Sequence, residues 1–87
     1  MSYYVVYLPM KDEELSQTLR PDHLAFLDEQ IEKGNVKAKG RFADGSGGMV
    51  IYAAESLEAA EEIAKQDPYV EKGARGMEIK EWIASFA

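Results

Sequence analysis

The chain predicts an α+β fold with the element order βαββαβ: a four-stranded antiparallel sheet carrying two helices on one face. Three observations predict it. Apolar, aromatic and β-branched runs of strand length recur near the start, the middle and the end of the chain. Two segments with helical periodicity alternate with them, and the glycine-rich stretch ADGSGG sits where the second and third strands must turn back on each other.

Residues 3–8, YYVVYL, form a continuous apolar run, so they read as a strand covered on both faces, ended by Pro9. The polar residues 10–19 read as a loop with at most one helical turn. Pro21 suits the first position of a helix running to about Lys33, and Gly34 is its stop. NVKAKGRF alternates well enough for a second strand, at an edge because of its lysines. MVIYAA is the third strand, apolar on both faces. Ser56 caps a second helix that reaches about Lys65, with Glu55 and Glu58 at the end its dipole favours; Pro68 breaks it. GMEIKEWI closes the sheet as the fourth strand.

This order is the split βαβ, or ferredoxin-like, pattern, and it leaves one face of the sheet without helices. Tyr3, Val5 and Tyr7 are as apolar as Tyr4, Val6 and Leu8, so the helix-free face calls for a cover. A second copy laid on it would make a homodimer whose two sheets form a barrel-like sandwich, with Trp82 at an end of the sheet or at the seam.

Composition narrows the function. The 87 residues, 46% of them hydrophobic, suffice for one domain over residues 1–87, with a core small enough that association would help it. A formal charge of −6 argues against nucleic acid, whose phosphates require a basic stripe. The absence of cysteine excludes disulfides, zinc-thiolate sites and thiol nucleophiles. One histidine and scattered carboxylates leave no metal site and imply no cofactor. The first residues lack a signal-peptide pattern and the apolar runs are too short to span a bilayer, so a soluble cytoplasmic protein without a membrane partner is expected.

The single histidine, His23, falls one turn into the expected first helix, where the dipole disfavours a protonated ring. With Leu24, Leu27 and Ile31 as the buried stripe, His23 lies on its shoulder, roughly 75° from the centre. On the second helix Leu57, Ala60, Ile63 and Ala64 form the apolar face. Asp67 would fall near its middle if the helix extends that far; it also reads as the N-cap of a short turn PYVEKG, and one carboxylate can serve both ends. Antiparallel helices bring the start of the first and the end of the second to one rim of the sheet. There His23 and Asp67 can pair, the carboxylate fixing the tautomer and leaving the second ring nitrogen for acid–base work.

Arg20, at the expected cap position, and Arg41, from the hairpin, would hold negative charge at the same rim, together with the backbone of Gly45, Gly47 and Gly48. Plainer readings stand beside these: a solvated His23, a simple hairpin tip, arginines paired to Asp22 and Asp44, and a Ser–His–Asp triad through Ser16 or Ser46 that lacks any local signature.

RPDHLAFL, the GRF at Gly40 to Phe42, and ESLEAAEEIAKQDPYVEKG with Asp67-Pro68-Tyr69 and Gly73 resemble the YciI-like (YCII-related) domain over nearly the whole chain. The resemblance implies a ferredoxin-like fold assembled as a dimeric α/β barrel, related to muconolactone isomerases and small monooxygenases. It further implies a site centred on a histidine and an aspartate, here His23 and Asp67. Relatives include a dehydrochlorinase of a chlorinated hydroxyquinol. The hairpin RFADGSGG is tighter than the family's long loop, and Arg41 stands where proline is common, so substrate identity does not carry over. The expected function is acid–base proton transfer, an isomerisation or elimination, on a small anionic or phenolic metabolite. The alternative is a ligand-binding or regulatory dimer that performs no chemistry.

Overall fold

The computed structural model describes residues 2–86. Its elements are β1 (Ser2–Pro9), α1 (Glu13–Glu32), β2 (Val36–Arg41), β3 (Gly47–Ala54), α2 (Leu57–Ala64), α3 (Pro68–Glu71) and β4 (Glu78–Trp82). The strands form one antiparallel sheet in the order β2-β3-β1-β4, so the expected ferredoxin-like topology is present with one short helix added.

The alternation of β1 separates its two faces. Tyr4, Val6 and Leu8 are buried and pair with Tyr52, Val50 and Gly48 of β3, whereas Tyr3, Val5 and Tyr7 are only partly covered. Within one chain β1 is therefore half-wet, not covered on both faces as its composition suggests. The core lies on the helix side, where Val6, Leu8, Val50 and Tyr52 meet Leu27 of α1 and Ala64 of α2. On the other side Phe86 packs edge-on against Tyr3 and Trp82, and Phe42 leans on Tyr7.

The first helix departs most from expectation. It begins about two turns earlier than Pro21. Asp12 is its cap, accepting a hydrogen bond from Leu15 N at 3.0 Å, and Glu13 and Glu14 complement the dipole in the first turn. Pro21 sits inside the helix. It removes the donor to the Gln17 carbonyl, but both residues face solvent, where water can serve that carbonyl. The shift moves the buried stripe to Ser16, Leu19, His23, Leu27 and Gln30, while Ile31 is 44% exposed and Leu24 only partly buried. His23 thus stands on the centre line of the buried face in mid-helix, and its expected place beside the positive helix end is overturned.

Two smaller differences shape the rim. Gly47 and Gly48 belong to β3 and not to the hairpin tip, which comprises residues 42–46. A Cβ on Gly47, at φ +152°, would lie 2.4 Å from the Leu8 carbonyl oxygen, and one on Gly48 would lie 2.8 Å from that of Gly40. The pair lets β1, β2 and β3 close up beside the cleft. The second helix ends at Ala64, so Asp67 is not on its apolar face. No helix among the described residues is long and apolar enough to cross a membrane.

Candidate functional site

The Asp67-Pro68-Tyr69 tripeptide builds half of the site. A residue before proline is steered into extended backbone, and Asp67 adopts φ −58°, ψ 124°, which aims its side chain back over the first turn of α3. Its Oδ1 accepts from Tyr69 N at 3.0 Å as the cap. The same carboxylate receives His23 Nδ1 at 2.8 Å and 2.9 Å from its two oxygens. Both groups are sequestered, Asp67 at 1% exposure and His23 at 8%. An ionised carboxylate can only accept, so Nδ1 carries the proton and Nε2 is the nitrogen left to the cleft. Burial, and next the charge of Asp67, push the neighbouring Tyr52 phenol well above its ordinary range, so it remains neutral at any physiological pH.

The third residue of the tripeptide supplies the platform. The Tyr69 ring stacks on the His23 ring with centroids 3.8 Å apart and planes 14° from parallel. The Arg75 guanidinium lies 4.4 Å from the Tyr69 centroid. Both distances leave room for only one group on each side of the ring, so Tyr69 is sandwiched between imidazole and guanidinium. Arg75 Nε donates to Ser16 Oγ at 3.1 Å and Nη1 to the Leu8 carbonyl at 3.3 Å. Ser16 Oγ thus accepts from Arg75, and Ser46 lies in the hairpin, where its backbone N–H donates to Asp44 Oδ1.

The cleft beside this stack has a volume of about 240 Å³. Its wall combines Leu8, Leu24 and Leu27 with His23 and Tyr69, and its rim carries Arg20, Lys39 and Arg41. Arg20 and Arg41 therefore do reach the cleft that His23 lines. Arg20 does so from the middle of α1, however, and not as a cap; the start of the helix lies elsewhere and is filled by Asp12, which removes the backbone anion site expected at Arg20.

Comparison with known proteins bears on this arrangement. The family model of the YCII-related domain matches residues 1–83. The chain belongs to the YCII-related domain family. It is 38% identical over 80 residues to the uncharacterised protein YjpA of Bacillus subtilis (strain 168), an alignment that spans 92% of this chain and 94% of that one. The fold is also similar to that of the 5-chloro-2-hydroxyhydroquinone dehydrochlorinase TftG from Burkholderia phenoliruptrix AC1100, solved with 2,5-dihydroxybenzoquinone, with a TM-score of 0.80, 18% identity and 95% of each chain covered.

In this YCII-related domain the residue that sequence reading passed over is Arg75. It stands between Gly73 and Gly76 in a segment that looks like a plain connection, yet Gly73, at φ +78°, turns the chain inward there. Arg75 N bonds the Tyr69 carbonyl, and the Ala74 carbonyl takes Lys11 and Asp12 N–H groups. Composition held a usable signal: the chain has only three arginines among ten basic residues, and a planar fork in place of lysine suggests a geometric task.

Proposed function

We propose that the cleft is an acid–base site for a small anionic or phenolic metabolite, catalysing an isomerisation or elimination. The buried His23–Asp67 hydrogen bond carries this reading, because it orders one imidazole tautomer with Nε2 turned to a lined cavity. His23 Nε2 takes a proton from the substrate, and the electron pair left behind moves onto a substrate oxygen. Arg20 and Arg41 stabilise the resulting enolate or phenolate charge. Returning the proton to a different atom completes an isomerisation; expulsion of an adjacent anion, such as chloride, completes an elimination. Asp67 holds the ring in place and stabilises the imidazolium while the proton is on it. The fold likeness to a dehydrochlorinase supports an elimination of this type.

The reading includes a homodimer formed through the helix-free face. Tyr3, Val5, Tyr7, Met49 and Trp82 are cross-strand or same-face neighbours there and stay partly exposed, which supports a second copy as their cover.

The test follows proton–deuterium exchange and chloride release by NMR in D₂O, with 5-chloro-2-hydroxyhydroquinone and a panel of small enolisable acids. Wild-type protein is expected to catalyse exchange or release on at least one of them, and His23→Gln to lose about 10²- to 10⁴-fold with an unchanged circular dichroism spectrum. Equal rates in wild type and His23→Gln would remove the imidazole from the chemistry and leave a binding module.

A further inference from the structure

All three arginines of the chain, Arg20, Arg41 and Arg75, line this cleft, in a protein with a net charge of −6. The same three also line a second cavity of about 210 Å³ that adjoins it on the Glu13 side. Among the described residues the ion pairs engage lysines and His23 only, so no carboxylate lies within ion-pair distance of any arginine. For Arg20 and Arg41, at the surface, that means little. For Arg75 it is costly, because a guanidinium at 8% exposure has given up most of its hydration.

The protein accounts for part of that charge and stops. Nε and one N–H of Nη1 have acceptors, and the Tyr69 face covers one side of the plane. The Nη2 group has no protein acceptor among the described residues. Among the described residues no fully buried side-chain polar atom lacks a partner, so Nη2 keeps access to open space, and the open space along Arg75 is the pair of adjoining cavities. A buried cation whose free donors face a cavity lined by two further arginines is arranged for an anion that arrives from outside.

We infer that Arg75 is the buried anchor for a planar carboxylate on the ligand, bound while Arg20 and Arg41 close on it from the rim. This rests on the acid–base reading for the part His23 plays and deepens it by naming the group the substrate must carry. Planar forks match a carboxylate in two parallel hydrogen bonds. The same forks can hold a phosphate, but the backbone N–H groups of a helix start, which would add to such a site, are taken at α1 by Asp12. Size points the same way, since about 240 Å³ admits a compact acid and little more. The two stacking distances laid end to end keep imidazole and guanidinium within about 8 Å of each other. One small molecule can therefore touch both, its apolar body against Leu24 and Leu27, its carboxylate on Arg75 and its labile proton at His23.

The test uses benzoate, its neutral isostere benzamide, and inorganic phosphate. In wild-type protein labelled with ¹⁵N-arginine, benzoate is expected to move the Arg75 Nη signals, benzamide to leave them in place, and phosphate to bind more weakly than benzoate. Arg75→Gln should weaken benzoate binding about ten- to hundred-fold, and Arg75→Lys should recover only part of the loss. Unmoved Nη signals under saturating benzoate, phosphate binding the tighter, or wild-type benzoate affinity in folded Arg75→Gln would each overturn the assignment. The labelled wild type decides the matter even if Arg75→Gln fails to fold. Benzoate binding that depends on Arg75 without any proton exchange in wild type would sink the enzymatic reading alone; exchange that depends on His23 with benzoate binding indifferent to Arg75 would sink the anchor alone.

Discussion

Asp67 does two jobs with one carboxylate, capping α3 and holding His23, and its charge reaches a third residue in the core. Tyr52 lies at 1% exposure against the helices, and both burial and the Asp67 charge favour its neutral form. Its folded value therefore stands above the ordinary 10.0 that it regains on unfolding, so the native state holds the proton more tightly. The stability this contributes is intact below pH 10 and is lost as pH rises beyond it. Urea unfolding followed between pH 8 and pH 11.5 should show a decline that sets in above about pH 10. In Tyr52→Phe that part of the decline should disappear. An identical alkaline slope in the two proteins would show that Tyr52 is not the group responsible. The residue scale is also where sequence was most informative. A lone histidine and an aspartate before proline are conspicuous, and they do pair, although from the middle of α1 and the cap of α3 and not from the two helix ends the topology suggested. Arg75 was hidden because nothing local marks a cation as buried; its environment is made by Ser16 and Leu8, distant in the chain.

At the scale of elements, strands and turn positions were legible because β-branched runs and glycines announce them, and β2 lies at the sheet edge where its lysines put it. The start of α1 was not, since Pro21 carries a strong local signal that tertiary packing overrides: Ser16 and Leu19 bury against the 69–75 segment and make the extra turns worth forming. The misplaced start then displaced the whole stripe, and with it the expected position of His23. Gly47 shows the opposite case, a residue read as hairpin backbone open to an anion that serves close packing. An alanine there would press its Cβ on the Leu8 carbonyl of β1 at a backbone angle that favours glycine. Gly47→Ala is expected to cost about 2 kcal/mol or more by chemical denaturation. It should also disturb the Leu8 carbonyl that Arg75 uses, visible as a shift of the Arg75 side-chain NMR signals. A variant of wild-type stability would mean that β1 and β3 separate freely at this rim.

For the whole molecule, the layers divide the apolar surface: helices and the inner sheet face build the core and the cleft, and the outer face carries the partly covered residues on which the proposed dimer rests. Val5 sits in the middle of that outer face, paired across the sheet with Ile51 on one side and Lys80 on the other. Sedimentation equilibrium is expected to give a dimer, and Val5→Lys a folded monomer, because the substitution sets a second ammonium beside Lys80 in the middle of the proposed interface. A monomeric wild type would remove the barrel-like assembly while leaving the cleft within one chain intact. The contacts of Arg75 with Ser16 and Leu8 span 59 and 67 positions, and the His23–Asp67 bond spans 44. During synthesis on the ribosome, then, the early half of the chain carries an imidazole with nothing to hold it, and the stack of imidazole, phenol and guanidinium is not assembled until residue 75 has emerged and docked. A nascent chain that has reached Asp67 but not Arg75 can already pair His23, yet one face of Tyr69 still waits for its guanidinium.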